Sequence, residues 1–170
     1  MKNIILTGFM GTGKSTVGRL LAEELQRPFV DIDSLIAARE GREISEIFAS
    51  SGEAYFRRVE TSTLREILQK EGQVIATGGG ALLQNRELLL SGGHLLCLTA
   101  PLAEILRRLE NEGGRPLLKG SLEEKARGLL AERREIYQEV PWKIDTGGKA
   151  PRQVAEEILA LLRQRGLTGK

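Results

Sequence analysis

Cysteine and histidine are almost missing from this 170-residue chain, which has one of each. A lone Cys97 excludes an intramolecular disulfide, and with only His94 nearby there is no tetrahedral zinc site. Both lie in the apolar run from His94 to Leu98, so Cys97 reads as a core residue. Aromatics are scarce too, at 4%, which leaves the core to Leu, Ile, Val and Ala. Charge of one sign is not in excess: 25 basic residues face 23 acidic ones. That balance gives no dense positive field, so no nucleic-acid partner is expected. Long apolar runs are absent as well. Only Ile4, Ile5 and Leu6 precede Thr7, far short of a signal core or a membrane span. The expectation is a soluble, cytoplasmic protein with no membrane partner, and a monomer, because no long exposed apolar stripe demands a neighbour.

What the chain does contain is a single domain's worth of residues, 1–170, with 41% hydrophobic and 28% charged residues, enough to bury a core. Short apolar runs at Ile4 to Leu6, Phe29 to Ile32, Val74 to Ala76, Leu95 to Leu98 and Trp142 to Ile144 are continuous rather than alternating. Such runs suit parallel strands covered on both faces. Between them lie helical stripes: Val17, Leu20, Leu21, Leu25; Phe56, Val59, Thr63, Ile67; Leu102, Ile105, Leu106, Leu109; and Val154, Ile158, Leu161, Leu162. This alternation predicts an α/β three-layer sandwich around a central five-stranded parallel sheet. Pro101 is placed in a first helical turn, and Ser121 with Glu124 reads as a capping box ahead of Leu129 and Leu130.

Gly8-Phe9-Met10-Gly11-Thr12-Gly13-Lys14-Ser15 matches G-x-x-x-x-G-K-[ST], directly after a strand and directly before an amphipathic helix. Glycines there turn backbone N–H groups around phosphate oxygens, and the helix start adds a partial positive charge. Gly11, Thr12, Gly13, Lys14, Ser15 and Thr16 are therefore the candidate cradle for ATP. Lys14 reaches the β- and γ-phosphates and the Ser15 hydroxyl ligates Mg²⁺. The sandwich is thus of the P-loop kinase type.

Four further features stay open on the residues alone. Asp31-x-Asp33 ends the second strand with both carboxylates on one face. One of them suits orienting Mg²⁺ and the other accepting a proton, unless Asp33 simply caps the next helix. Gly78-Gly79-Gly80 permits close approach of a ligand to backbone, or is a flexible turn. Arg57-Arg58 and Arg133-Arg134 each sit among glutamates and suit solvated ion pairs. Residues 111–120, with Gly113, Gly114, Pro116 and Gly120, are a surface loop or a mobile lid.

These pieces occur in an order that resembles the shikimate kinase family. The resemblance rests on Arg57-x-x-Glu60, Leu64, Val74-Ile75-Ala76-Thr77-Gly78-Gly79-Gly80-Ala81-Leu82, Gly52 to Glu60, Asp31-Ile32-Asp33, Arg115-Pro116-Leu117-Leu118, and Arg133 four positions before Tyr137. It runs from the first strand to about Pro151. It implies ATP-dependent transfer of a phosphoryl group to the 3-hydroxyl of shikimate, in the pathway to chorismate and aromatic amino acids. It further implies that Asp33, Arg57, Gly79 and Arg133 hold shikimate, that Asp33 activates the nucleophile, and that Asp31 supports Mg²⁺. Arg115 would close over the transferring phosphate on the lid. Adenine would rest between Arg108 and the turn from Lys149 to Pro151, where Lys149 stands in place of a frequent arginine and Ala150 in place of a polar residue.

Two rivals are separable on sequence. A gluconate or nucleoside monophosphate kinase would share strand, loop and lid but not the set Asp33, Arg57, Gly78 to Gly80 and Arg133. A GTP-dependent switch needs Asn-Lys-x-Asp to read guanine, and no such string occurs.

Overall fold

Strands form where apolar residues can be covered on both sides, and the chain does this five times in the computed structural model, which describes residues 1–112 and 119–168. The order is β1 Asn3–Gly8, α1 Lys14–Leu25, β2 Phe29–Asp31, α2 Ile32–Glu40, α3 Ile44–Ser51, α4 Glu53–Ile67, β3 Val74–Ala76, α5 Leu82–Gly92, β4 Gly93–Thr99, α6 Leu102–Glu112, α7 Lys119–Gln138, β5 Trp142–Asp145 and α8 Pro151–Gln164. The strands pair in the order β2-β3-β1-β4-β5, all parallel. The expected five-stranded α/β sandwich is what the chain forms.

Successive side chains of a strand point to opposite faces, so β1 feeds two cores. Ile5 joins Ile75, Leu95 and Cys97 on one face, under Ile32, Ile47, Phe56, Leu64 and Leu89 from α2 to α5. Ile4 and Leu6 join Val74, Leu96 and Leu98 on the other, under Val17 and Leu21 of α1 and Ile158 and Leu162 of α8. Ile4, Ile5 and Leu6 are wholly buried, each contributing about 1.5–3 kcal/mol by leaving water. Because β1 lies between β3 and β4, its carboxyl end opens into the crevice where sheets of this kind bind ligands. Cys97 is a core thiol, as expected, and burial pushes it up to about 11.

Several local expectations give way. β2 stops at Asp31, because its carboxylate accepts the Ser34 N–H at 3.0 Å and starts α2. Asp31 is therefore the cap, and Asp33 sits in the first helical turn rather than on the strand. α2 and α5 lack a clean apolar stripe, α3 has only the short one of Ile44, Ile47 and Phe48, and all three went unread in the sequence. Pro101 precedes α6, its carbonyl accepting the Ile105 N–H at 3.0 Å. α7 starts at Lys119, so Ser121 falls inside the helix and does not begin it. Of the segment 111–120, Asn111 and Glu112 belong to α6 and Lys119 and Gly120 to α7, and the rest of the expected loop or lid lies outside the described residues. Arg115 and Pro116 lie outside the described residues. Trp142 stacks on His94, with ring centroids 5.7 Å apart, and serves packing. No helix among the described residues is long and apolar enough to cross a membrane.

Candidate active site

The loop from Gly8 to Ser15 leaves the central strand and enters α1 through residues that only glycine adopts readily: Gly11 has φ 75° and Gly13 φ 91°. Thr12 locks the turn by donating its hydroxyl to the Phe9 carbonyl at 2.7 Å. Lys14 is folded back over the loop, its Nζ donating to the Gly8 and Phe9 carbonyls at 2.8 Å each. Burial lowers its pKa to about 8, against the pull of Asp33. A phosphate entering the loop would give this ammonium the counter-charge that two neutral carbonyls do not supply.

Ser15, at the first turn of α1, donates its hydroxyl to the Asp31 carboxylate at the end of β2. That hydroxyl and carboxylate are a hard oxygen pair of the kind that holds Mg²⁺ alongside substrate phosphates and water. No group of three His, Cys, Asp or Glu side chains that could hold a metal ion occurs among the described residues. The other wall of the loop is a cleft of about 270 Å³ lined by Gly11, Gly13, Thr16, Arg108, Lys149 and Pro151, among others. Arg108 of α6 is held rigidly there. It donates to the Thr146 carbonyl at 2.8 Å, the Thr146 hydroxyl at 3.0 Å, Glu104 at 3.1 Å and the Gly11 carbonyl at 3.2 Å. Lys149 lines the same cleft, but its Nζ is tied to the Asp145 carbonyl and Glu157, at 2.9 and 2.7 Å.

Beyond the loop the second wall is built on Gly78, Gly79 and Gly80. In β3, Ala76 lies opposite Asp31 of β2, so the glycines emerge beside the start of α2. A Cβ on Gly78 would stand 2.7 Å from Asp33 Oδ1, and one on Gly79 3.3 Å from Arg133 Nη1. One on Gly80 would overlap the Arg57 guanidinium outright. Each missing side chain thus makes room for a different one of the three charged residues, which reach the same loop from α2, α4 and α7. Neither Arg57 nor Arg133 is a solvated helix-face residue: they are 7% and 8% exposed.

The electrostatics are those of a site built for a polar ligand. Asp33 Oδ1 is buried and has no hydrogen-bond partner among the described residues. Desolvation and then Asp31 raise the Asp33 pKa, while Lys14 and Arg57 oppose the shift. Arg57 Nη1 pairs with wholly buried Glu60 at 2.8 Å, and its Nε approaches Glu53 at 3.6 Å. Glu60 is itself raised by burial, with its Arg57 hydrogen bond acting the other way. Arg133 lies over the Phe9 ring, 5.8 Å from its centroid, so this second wall touches the phosphate loop.

A family model described as shikimate kinase matches residues 10–163. The chain belongs to the shikimate kinase family. It is 46% identical over 167 residues to a shikimate kinase of Sulfurihydrogenibium sp. (strain YO3AOP1), covering 97% of this chain and 100% of that one. Among solved structures it is similar to shikimate kinase from Acinetobacter baumannii in complex with shikimate, at a TM-score of 0.90 and 42% identity. That likeness covers 98% of this chain and 96% of the other. A gluconokinase from Sinorhizobium meliloti aligns at a TM-score of 0.60 and 20% identity, over 96% of this chain and 92% of that one. At that identity it shows the fold alone. The chain is an ATP-dependent phosphotransferase of the shikimate kinase type.

Of the residues named from the sequence, Asp33, Gly79, Arg57 and Arg133 meet at the three-glycine loop, Ser15 meets Asp31 beside Lys14, and Arg108 and Lys149 line the cleft on the other side of the phosphate loop. Arg115 is the exception, lying outside the described residues. Glu60 was seen only as part of a motif. The signal that would have found it is its spacing, four residues after Phe56 and three before Thr63, which puts it on the buried stripe of α4.

Proposed function

We propose that this chain moves the γ-phosphoryl group of ATP to the 3-hydroxyl of shikimate, giving shikimate 3-phosphate and ADP. The observation that carries the reading is the three-glycine loop against which Asp33, Arg133 and Arg57 are packed, one per glycine. Two guanidinium groups offer planar forks of donors to the acceptor carboxylate. Gly79 lines the same wall, and Asp33 takes the ring hydroxyls. In the transfer, the 3-oxygen bonds to the γ-phosphorus while the bond from that phosphorus to the β–γ bridging oxygen breaks. The hydroxyl proton passes to Asp33, whose raised pKa makes it a better acceptor than an ordinary surface carboxylate.

Lys14 leaves its two loop carbonyls for the β- and γ-phosphate oxygens and follows the charge as it moves to the leaving group. Gly11, Thr12, Gly13 and Thr16 frame the phosphates, and Arg108 and Lys149 bound the base cleft. Ser15 would hold Mg²⁺ directly and Asp31 through its shell; when bound, the ion neutralises phosphate charge. Arg115 is assigned the role of closing over the transferring phosphate, worth about 10³–10⁵ in rate for arginines so placed. A biosynthetic kinase drawing on the cell's ATP works in the cytoplasm, and every residue assigned a role here belongs to one chain, so a monomer suffices.

The test is ADP release from MgATP, with shikimate, gluconate or a nucleoside monophosphate as acceptor. Rapid release with shikimate alone is expected. Rapid release with gluconate and none with shikimate would overturn the substrate assignment.

A further inference from the structure

One buried hydroxyl beside the acceptor wall has no part in the scheme above. In the loop after β3 the carbonyls find partners in turn. Gly78 accepts from the Ala81 N–H and Gly80 from the Leu83 N–H, both at 3.2 Å, and Ala81 accepts from Asn85 Nδ2 at 3.0 Å. These three bonds are local to the loop and the start of α5. The Gly79 carbonyl instead accepts from the Tyr137 hydroxyl, which reaches it from α7, 58 residues further along the chain.

Tyr137 is 6% exposed, and burial pushes its phenol up to about 12 against the opposing charge of Arg133, so it remains a donor across the physiological range. Arg133 stands one turn earlier on the same helix, against Gly79 itself. Three successive residues without side chains have more backbone freedom than any other sequence, so the Gly79 peptide has no orientation of its own to fall back on.

We infer that Tyr137 is a positioning residue for the acceptor: its hydroxyl pins the Gly79–Gly80 peptide to α7 and fixes that peptide's spacing from Arg133. A peptide plane is rigid and trans, so holding the Gly79 carbonyl toward Tyr137 turns the Gly80 N–H to the opposite side. One bond thereby sets both faces of the link between the residues packed on Arg133 and Arg57. A Cβ on Gly79 would stand 3.3 Å from Arg133, and 3.5 and 3.8 Å from the Met10 nitrogen and the Gly8 carbonyl of the phosphate loop, so the larger consequence falls on the acceptor side. The inference rests on the shikimate kinase reading, because it presumes that Gly79 and Arg133 hold the acceptor.

Tyr137→Phe removes the hydroxyl and keeps the ring. Loss of one neutral hydrogen bond predicts a KM for shikimate about five- to tenfold higher. The KM for ATP stays within twofold of wild type, about the scatter of such measurements. The rise in melting temperature produced by shikimate shrinks, while that produced by ATP does not. A purely structural tyrosine would lower the melting temperature and leave both Michaelis constants alone, and that result overturns the inference. So does a parallel loss in kcat and in both KM values. Wild-type protein assayed alongside separates the levels: full wild-type turnover with an unchanged KM in the variant sinks this inference only. No wild-type turnover of shikimate sinks the functional reading beneath it as well.

Discussion

Replacing Gly78 with alanine adds one methyl group where the structure has room for none. The new Cβ would lie 2.7 Å from Asp33 Oδ1 and 3.0 Å from Oδ2. Ordinary contact between such atoms begins near 3.4 Å, so the carboxylate must retreat by about 0.7 Å. Gly78 is not among the residues with positive φ, so alanine adopts its backbone without strain and the whole effect is steric. Displacing a group that meets the reacting hydroxyl by about 1 Å costs about 10²-fold in rate, so Gly78→Ala should lower kcat about 10- to 100-fold. That corresponds to about 1.4–2.7 kcal/mol of transition-state stabilisation. The Michaelis constant for ATP should not move, since the phosphate loop is untouched. Coupled ADP release at saturating ATP, with circular dichroism to confirm the fold, measures this. Gly79→Ala is the graded companion: at 3.3 Å from Arg133 Nη1 it displaces only the end of a long side chain. Its KM for shikimate should rise two- to threefold, about half a kcal/mol or more, with kcat retained. Gly128→Ala on the exposed face of α7 has no atom of the described residues within 4 Å of its Cβ and should add about 0.8–1 kcal/mol of stability with kinetics unchanged. Wild-type kcat in Gly78→Ala would refute the claim that Asp33 must stand where it does.

The remaining predictions concern charge. Lys14→Met should abolish turnover, below about 10⁻³ of wild type, with the fold intact, and an unchanged kcat would remove Lys14 from the mechanism. The lowered Lys14 pKa, about 8 against 10.5, gives two pH trends of opposite sign. The unfolded chain carries that proton up to about pH 10.5 while the ligand-free fold gives it up near 8, so this residue's contribution to stability rises with pH between those values and is lost as pH falls through 8. Affinity for ATP should fall over the same interval, because the ammonium is what meets the phosphates; ATP titrations and thermal melts of ligand-free protein from pH 7 to 10 check both. Arg57→Ala should raise the KM for shikimate strongly and the KM for ATP little. It should also cost about 3–5 kcal/mol in stability by stranding buried Glu60. That cost should shrink as pH falls toward the raised pKa of Glu60, and a pH-independent loss would show that Glu60 is already neutral beside Arg57.

How much of this was legible depends on whether the signal was local. The phosphate loop was read in full, because its chemistry is contained in eight consecutive residues between a strand and a helix. The strands were read nearly to their ends, since a continuous apolar run means cover on both faces wherever it occurs. α2 escaped because its start depends on Asp31 changing role from strand end to cap, a choice made by one hydrogen bond to Ser34. α5 escaped because Leu82 follows the glycines directly and the helix is kinked at Asn85, whose φ of −118° breaks the periodicity. Arg133 and Arg57 looked like solvated charges, because ion-pair spacing on a helix is the same whether the helix faces water or a crevice.

The glycines show why the acceptor wall was the hardest part to read from residues alone. Three residues without side chains carry no chemistry, and a flexible turn would have the same letters. Their meaning lies in what they leave vacant, and that is decided elsewhere: by the β2–β3 register that sets Asp31 against Ala76, and by the two helices that carry Arg57 and Arg133 to the loop. Alternation had put Asp31 and Asp33 on one face of a strand. The structure reaches the same neighbourhood by another route, with Asp31 at the strand end on Ser15 and Asp33 one helical step later against Gly78. A helix that began one residue later would point Asp33 about 100° away from the loop. The capping bond of Asp31 therefore does more than start a helix: it aims the neighbouring carboxylate. Asp31→Ala should consequently depress kcat through Asp33 even in assays where saturating Mg²⁺ restores nucleotide binding, and full recovery of kcat by Mg²⁺ would confine Asp31 to the metal.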